Sequence, residues 1–354
     1  MTIFADRQGA VLDDNGVPQH FGEPVREQRA FQRGAYVPLP REVIKLSGPD
    51  RLTWLDSITS QQLDLSAGQS TENLVLSPQG KIEHAMRLVE DGESLWAIVD
   101  VGRAAPLIEF LERMRFMRQV DIEAVADAVV VGVSGEIDAP DGTVWRDAWP
   151  DTIEGGVRYG SYRGDDPWAW REVIVTPEVA ASLSATEVPV VGYGAYDAAR
   201  VAAGRPAFSD VDERTIPHEL DWLATAVHLN KGCYRGQETV AKVHNLGAPP
   251  RRLTLLHLDG SDSVLPEPGA EVVAGEKAAG HVTSFAYHYE LGPIALALLK
   301  RRVDPEAVLT VHAGDDGTHR VTASQELLVP PGAGQANKPP RLPRLGAVKR
   351  PRRE

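Results

Sequence analysis

An α+β chain ending in a small antiparallel barrel is the fold class this sequence predicts, on three observations. Strand and helix patterns are mixed from about residue 35 to residue 248. After Pro249-Pro250 the helix signals stop, and short apolar runs follow with turn residues between them. The chain has 354 residues, too many for one ordinary core and suited to two or three domains.

Composition narrows the function classes. Hydrophobic residues make up 42% of the chain, ample for a globular core, and the net charge is −13. That balance argues against general nucleic-acid binding through a basic surface. A single cysteine excludes an internal disulfide, a zinc cluster of several thiolates and a four-thiolate iron–sulfur cluster held by one chain. No metal site is read. Met1 to Ala10 has no apolar core of a signal peptide, and no run approaches about 20 apolar residues. The expectation is a soluble cytoplasmic protein with no membrane partner.

Taken in order, residues 1–34 form a polar N-terminal arm, expected to be loosely held. Arg41 to Leu46 reads as a strand, and Ser47-Gly48-Pro49-Asp50 starts a helix with Leu52, Leu55 and Ile58 on its buried face. Asn73 to Leu76 is a short strand, and Ser77 to Gly80 is a turn. From Lys81 to Val89 the pattern alternates, so Ile82, His84, Met86 and Leu88 share a face. On that face His84 is a core or pocket histidine before it is a metal ligand. Ser94 to Val99 is a further strand, and Arg103 to Met117 a helix. The basic cluster Arg113, Arg115 and Arg118 at its end suits the helix dipole, with a handhold for ligand carboxylates as the alternative.

Asp121 to Val133 holds two strand-like runs, and Ile137 to Pro167 is rich in loop residues. Glu172 to Val175 is a strand, and Pro177 opens a short helix. Tyr196 to Ala203 is helical and stops at Gly204. Ala207 to Glu219 is a long extended segment, of a kind usually functional or disordered. The barrel strands are Arg252–Leu258, Ala270–Val273, Ala279–Ala286, Ile294–Leu299, Val308–His312 and Arg320–Ala323. Residues 330–354 read as a disordered basic tail that can be removed at little cost.

One stretch stands apart: Lys231-Gly232-Cys233-Tyr234-Arg235-Gly236-Gln237-Glu238. It contains the only cysteine, two glycines and three charges. It runs into a short helix pattern marked by Val240, Val243 and a capping Gly247. A thiol on a Gly-rich turn near a helix N-terminus is in a place that favours thiolate and anions. The plain alternative is a tight turn around a small buried cysteine.

The octapeptide is identified as the signature of the YgfZ-type folate-binding family, related to the aminomethyltransferase (T-protein) of the glycine cleavage system. Further stretches resemble that family in the same order: Leu46 to Asp50, Asp197 to Pro206, Pro217-His218-Glu219, Gly280 to Ser284 and Gly292 to Ala297. The resemblance implies two mixed α/β units, ferredoxin-like or T-protein-like, around a central folate channel, plus a C-terminal antiparallel β-barrel. It divides the chain into an arm (1–34), a folate-binding domain (35–248), a barrel domain (249–329) and the tail (330–354).

Tetrahydrofolate, or a one-carbon derivative, is the cofactor the resemblance implies. A pterin edge offers N–H donors that a carboxylate accepts, and Glu219 is the first candidate for it. Tyr234 and Trp222 are candidate walls for the rings. Arg235, Arg200 and Lys231 are candidate cations for the glutamate tail. Gly232, Gly236, Gln237 and Glu238 complete the motif around them. Each of these has ordinary packing or a surface ion pair as its alternative.

Two positions depart from the transferase pattern. Where those relatives carry Gly-x-Ile-Asp-Asp, this chain has Gly80-Lys81-Ile82-Glu83-His84, and a pterin-contacting glutamate falls at Ala202. The octapeptide belongs to the branch associated with assembly or repair of iron–sulfur clusters in client enzymes, including tRNA-modifying ones. The leading expectation is therefore a folate-dependent accessory protein with Cys233 as its working thiol and iron–sulfur client enzymes or cluster-assembly proteins as partners. A one-carbon (aminomethyl) transferase using Glu83 or His84 as acid–base group is the alternative. A non-catalytic folate-binding module and a thiol hydrolase pairing Cys233 with His228 or His244 follow. Gly80–His84, Pro217–Glu219 and Lys231–Glu238 are expected to line one cavity.

Overall fold

The computed structural model describes residues 2–161, 168–261, 264–314 and 317–336. The chain opens with α1 (Thr2–Ala5), β1 (Val11–Leu12), β2 (Pro18–His20), α2 (Pro24–Arg33) and β3 (Tyr36–Pro38). Next come β4 (Arg41–Ser47), α3 (Arg51–Ile58), β5 (Ser70–Leu76), β6 (Ile82–Glu90), β7 (Ser94–Asp100), α4 (Ala104–Arg115) and β8 (Asp121–Ala124). They are followed by β9 (Val129–Ser134), β10 (Thr143–Arg146), β11 (Trp170–Val175), α5 (Pro177–Ser182), α6 (Tyr193–Ala202) and α7 (Gln237–Asn245). The last strands are β12 (Arg251–Leu258), β13 (Glu271–Ala274), β14 (Lys277–His288), β15 (Gly292–Lys300), β16 (Leu309–Ala313) and β17 (His319–Leu327). Among the described residues, no helix is long and apolar enough to cross a membrane.

The first sheet has the order β5-β6-β7-β4-β8 and is antiparallel throughout. Helices α3 and α4 cover one face through Trp54, Leu55, Leu107 and Leu111, which meet Ile44, Leu46, Leu88 and Leu95. The alternation along β6 holds: Ile82, His84, Met86 and Leu88 are all buried. From Met86 to Glu90 both faces are buried, because the opposite face meets the second sheet. That sheet has the order β10-β11-β9-β3. Its centre is buried on both sides, so β9 reads Val-Val-Val-Gly-Val-Ser without alternation. Gly132 is required there, since a Cβ would lie 2.1 Å from the Trp170 ring.

A buried ionic cluster joins the sheets. Arg41 bridges Asp100 at 2.9 Å and Glu172 at 3.3 Å, and Arg87 reaches Glu172 at 3.3 Å. Two guanidiniums facing two carboxylates leave no charge uncompensated, which is the condition for burying them at all.

The six strands β12-β15-β14-β13-β16-β17 close a barrel. Along β12, Leu256 and Leu258 enter the barrel core, while Leu253 and Leu255 face the body of the protein. On β15, Ala295, Ala297 and Leu299 point in and Ile294, Leu296 and Leu298 point to the body. Two strands with both faces apolar thus fix the barrel to the rest.

Between barrel and sheets runs an irregular strap in which every residue from Pro217 to His228 is buried. A buried strap of this kind needs partners for its backbone. Ile153 donates to the Ala224 carbonyl, Val157 to the Leu223 carbonyl, His228 N to the Ser60 carbonyl, and Ser60 Oγ to the Ala226 carbonyl.

Several expectations need correcting. The N-terminal arm is not loosely held. Phe4 is buried against the second sheet's helix side, and Phe31 packs 5.6 Å from Trp170. Glu27 accepts from Phe21 N and Gly192 N, tying α2 to the start of α6. The stretch is polar because two aromatic rings and one buried carboxylate do the anchoring. The loop-rich region contains β10, whose Trp145 is buried. The extended segment carries two short 3-10 turns, Phe208–Asp210 and Pro217–Leu220. Of the expected tail, residues 330–336 are packed: Ala333 is buried and Ala336 N donates to the His244 carbonyl. Residues 337–354 lie outside the described residues.

Candidate functional site

Most of the octapeptide is used to hold its own loop in place. The Lys231 ammonium donates to the carbonyls of Asp56, Thr59 and Gln61 at 2.6, 3.1 and 2.7 Å and pairs with Asp56 Oδ1 at 3.1 Å. It therefore closes the C-terminal end of α3, where orphan carbonyls want a cation. Burial lowers its pKa, and Asp56 opposes that shift. Tyr234 enters the core with its ring 5.6 Å from the Lys231 ammonium, and its hydroxyl has no partner. Burial pushes that phenol above its ordinary range. Gln237 Nε2 donates to the Lys231 carbonyl at 3.1 Å and shuts the loop. Gly236 starts α7 at φ +88°, and a Cβ there would stand 2.5 Å from the Ser77 oxygen. The turn at Ser77–Gly80 and the loop can meet only because both sides are glycine.

With those residues committed, Gly232, Cys233 and Glu238 remain exposed. The thiol is presented outward on a braced loop, ahead of α7 rather than in its first turn.

Arg235 reaches across to β6, where its guanidinium forks onto the Glu83 carboxylate, with Nη2 3.2 Å from Oε1. It lies 5.7 Å from the Phe110 ring centre. Beside this pair, His84 is 9% exposed, and its ring centre is 5.9 Å from that of Phe110. Its Nδ1 has no partner. Burial first, then the fields of Arg103 and Arg235, push its pKa down to about 4, so the imidazole is neutral at neutral pH.

Gly80–His84 and Lys231–Glu238 meet directly through Glu83 and Arg235, whereas Pro217–Glu219 is tied only to neighbours of these segments. Ile82 N donates to the Thr215 carbonyl at 2.9 Å, and His218 Nε2 bonds the Val240 carbonyl at 3.0 Å. The cavity beside them is lined by other residues than expected: Glu72, Ala85, Met86, Arg87, Asp100, Phe208 and Trp222. Of the sequence candidates only Trp222 lines it. Its Nε1 is a buried donor without a partner. The cavity measures about 10 Å³, room for a water rather than a ring. Met86, with its pliable side chain, is one of its walls.

Two candidates are saturated elsewhere. Glu219 is fully buried and accepts from Ile216 N, Arg251 N, Nε and Nη2, so both oxygens are taken. Arg200 donates to Asp197, Asp210, Ser284 and the Arg205 carbonyl. His228 and His244 are engaged with Asn230 N and the Tyr159 hydroxyl. Sequence reasoning passed over Phe208, Arg103, Phe110, Asp100 and Glu72. The one sequence signal for Phe208 was its place in the long extended segment.

The fold has counterparts. Residues 251–329 match the family described as Glycine cleavage T-protein C-terminal barrel domain. The chain superimposes on a crystal structure of glycine cleavage system aminomethyltransferase T from Bartonella henselae with a TM-score of 0.70, covering 92% of this chain and 96% of that one at 16% identity. At that identity the likeness shows the fold. A tRNA-modifying protein YgfZ of Vibrio vulnificus is 25% identical over 75% of this chain and 83% of its own. The chain resembles the YgfZ-type proteins. A further relative, from Arabidopsis thaliana and named provisionally as a chloroplastic transferase, is 26% identical over 81% of this chain and 71% of its own. The YgfZ-type likeness thus spans most of the chain, within a T-protein fold.

Proposed function

We propose that this protein is a folate-binding accessory factor of the YgfZ type that supports iron–sulfur client enzymes, tRNA-modifying ones among them. The observation that carries the folate part is the cavity whose walls include Trp222 and Phe208 together with Glu72, Arg87 and Asp100. Aromatic walls beside carboxylates are the chemistry a pterin needs: faces to stack on and acceptors for its N–H edge. The unpartnered Trp222 Nε1 offers a donor to a pterin carbonyl or ring nitrogen. Asp100 and Glu72 line that space in place of Glu219, and a pterin edge would share them with the arginines they already pair with, Arg41 and Arg87 for Asp100 and Arg205 for Glu72. Ring entry requires Phe208, Met86 or Trp222 to move, since the cavity is small.

The tRNA part rests on the name of the Vibrio vulnificus relative and on the presentation of Cys233. An exposed thiol on a braced loop suits contact with a macromolecular client better than chemistry in an enclosed pocket. A single thiolate supplies at most one ligand to a cluster, so its role is transient. Aminomethyl transfer lacks support at positions 83 and 84. Glu83 is held by Arg235, and His84 is a neutral imidazole.

Calorimetric titration with tetrahydrofolate tests the first part, and Trp222→Phe should weaken binding while leaving the fold intact. Rescue of a cluster-dependent enzyme in cells lacking the native protein tests the second. A wild-type protein that binds no reduced folate, or rescue unaffected by loss of the thiol, would refute the respective part. Release of a one-carbon unit from an amine substrate would point instead to the transferase.

A further inference from the structure

A cavity of about 450 Å³ lies between the Gly155-Gly156 turn and α7, with Asn230, Ala241, His244 and Asn245 on its walls. It shares no wall with the Trp222 cavity. Its size is in the range of sites that take small organic ligands. Among the described residues none of its walls is an acid, a lysine or an arginine. A polar but neutral lining suits an uncharged group with a hydrogen-bonding edge and disfavours a bare anion.

The donors there are set by neighbours. Tyr159 Oη lies 2.9 Å from His244 Nδ1. Burial raises the Tyr159 pKa, so the phenol keeps its proton and donates it to Nδ1. Burial also lowers the His244 pKa, so the imidazole is neutral at pH 7 and its own hydrogen sits on Nε2. Tyr159 is held in turn by its stack on the His218 ring, 6.3 Å between centres. Among the described residues neither His244 Nε2 nor the Asn230 side-chain amide has a hydrogen-bond partner. A ring N–H together with an amide that both donates and accepts matches the edge of a nucleobase.

The charge along the chain supplies a second, independent observation. Residues 337–354 hold seven Lys or Arg and one Glu, in a chain whose net charge is −13. Ala336 N donates to the His244 carbonyl at 3.0 Å, so this basic stretch begins one residue from a wall of the cavity. Cations beside a neutral polar cavity match the two parts of a nucleotide, phosphate for the first and base for the second.

We propose that this end of α7 binds single-stranded RNA, one unstacked base entering the cavity while residues 337–354 neutralise the neighbouring phosphates. Asn230 stands three residues before Cys233, so the strand lies beside the loop that presents the thiol. The net negative charge of the rest of the chain confines the contact to this place. The choice of RNA over DNA rests on the tRNA part of the function proposed above, and the folate part is not used.

Fluorescence anisotropy with three labelled strands tests the site: a single-stranded RNA octamer, the same octamer without bases, and its DNA counterpart. The wild type should bind the RNA with a log–log salt slope of up to about −5, from seven cations at about 0.7 each. The strand without bases should bind about tenfold more weakly, the cost of losing one held base. Removal of residues 337–354 should weaken RNA binding by about tenfold or more and bring the salt slope near zero. Ala241→Leu, which narrows the cavity, should erase the preference for RNA over the baseless strand and leave the slope unchanged. If Ala241→Leu does not fold, Asn230→Ala alters an exposed side chain and should show a smaller loss of the same pattern. RNA bound no more tightly than the baseless strand, or binding unmoved by the truncation, would overturn the proposal. Tighter RNA binding after the truncation would show that residues 337–354 fill the cavity themselves, which also overturns it. DNA bound as tightly as RNA would overturn the choice of RNA. Tetrahydrofolate titration and client rescue with the same protein keep the two readings apart. Folate binding and rescue without RNA binding remove this inference alone, and RNA binding without folate binding or rescue removes the proposed function alone.

Discussion

Arg235 and Glu83 tie the 231–238 loop to β6, with the guanidinium forked on the carboxylate. The pair joins the octapeptide to the strand that carries His84, and about a third of each side chain is exposed. Exposure limits its worth for stability to within about 1 kcal/mol. Arg235→Gln should therefore melt close to wild type yet bind tetrahydrofolate more weakly. Glu83→Gln should bind it more tightly, because it frees Arg235 from its internal acid. Melting curves and titrations on the two variants check the opposite signs.

Cys233→Ala should cost less than about 0.5 kcal/mol, since an exposed side chain away from caps and pairs contributes little. Folate binding should survive, because the Cys233 thiol does not line the ring cavity. Rescue of a cluster-dependent enzyme should be lost. A stable, folate-competent variant that rescues fully would remove the thiol from the mechanism.

Lys231→Met should behave in the opposite way. It removes a buried ammonium from three carbonyls at the end of α3. Leaving those acceptors without a donor costs about 2 kcal/mol or more. Loss of function in this variant should track a lower melting temperature. A Lys231→Met protein as stable as wild type would show that the lysine is held for some other purpose.

Glu219→Ala should likewise act through the fold. It strips a buried carboxylate from Arg251 and frees Ile216 N, at a cost of about 3 kcal/mol. Trp222→Phe removes an unpartnered donor together with part of a buried indole, so it should cost about 1–2 kcal/mol, less than Glu219→Ala. Chemical denaturation of both should separate them, and folate affinity relative to stability should fall only for Trp222→Phe.

Stability should fall as the pH drops from about 6.5 toward 4. His218 and His84 have folded pKa values of about 4, each caused chiefly by burial, against an ordinary value of 6.5. Above 6.5 both folded and unfolded chains carry neutral imidazoles there. Below it the unfolded chain binds protons that the folded chain refuses, so each histidine withdraws up to roughly 3 kcal/mol by pH 4. Asp221 works the other way. Burial raises its pKa to about 6 from 3.8, against the N–H groups of Tyr159 and Gly160 that lower it. Its contribution is present below 3.8 and is lost as the pH rises through 6. Two histidines outweigh one aspartate, so the net slope is positive with pH. His218→Gln, which keeps a donor for the Val240 carbonyl, should flatten it, and a wild-type melting temperature unchanged from pH 7 to 5 would contradict the assignment.

The sequence by itself determined the barrel, the alternation along Ile82 to Leu88 and the start of α3, because each depends on periodicity and turn chemistry within a few residues. It also marked the octapeptide, whose composition is too costly to order without a use. Only the tertiary structure decided what each member does. Lys231, Arg200 and Glu219 were candidate ligand contacts because their charge is visible in sequence, but their partners at Asp56, Ser284 and Arg251 belong to distant segments. The cavity walls Phe208, Asp100 and Glu72 come from an extended segment and the strands β7 and β5, with no shared pattern along the chain. The N-terminal arm looked loose because its few anchors, Phe4, Glu27 and Phe31, stabilise by where they land rather than by any local period. Periodicity is a short-range property and is written in the sequence, whereas charge pairing and cavity lining arise where remote segments meet, and only the folded chain brings them together.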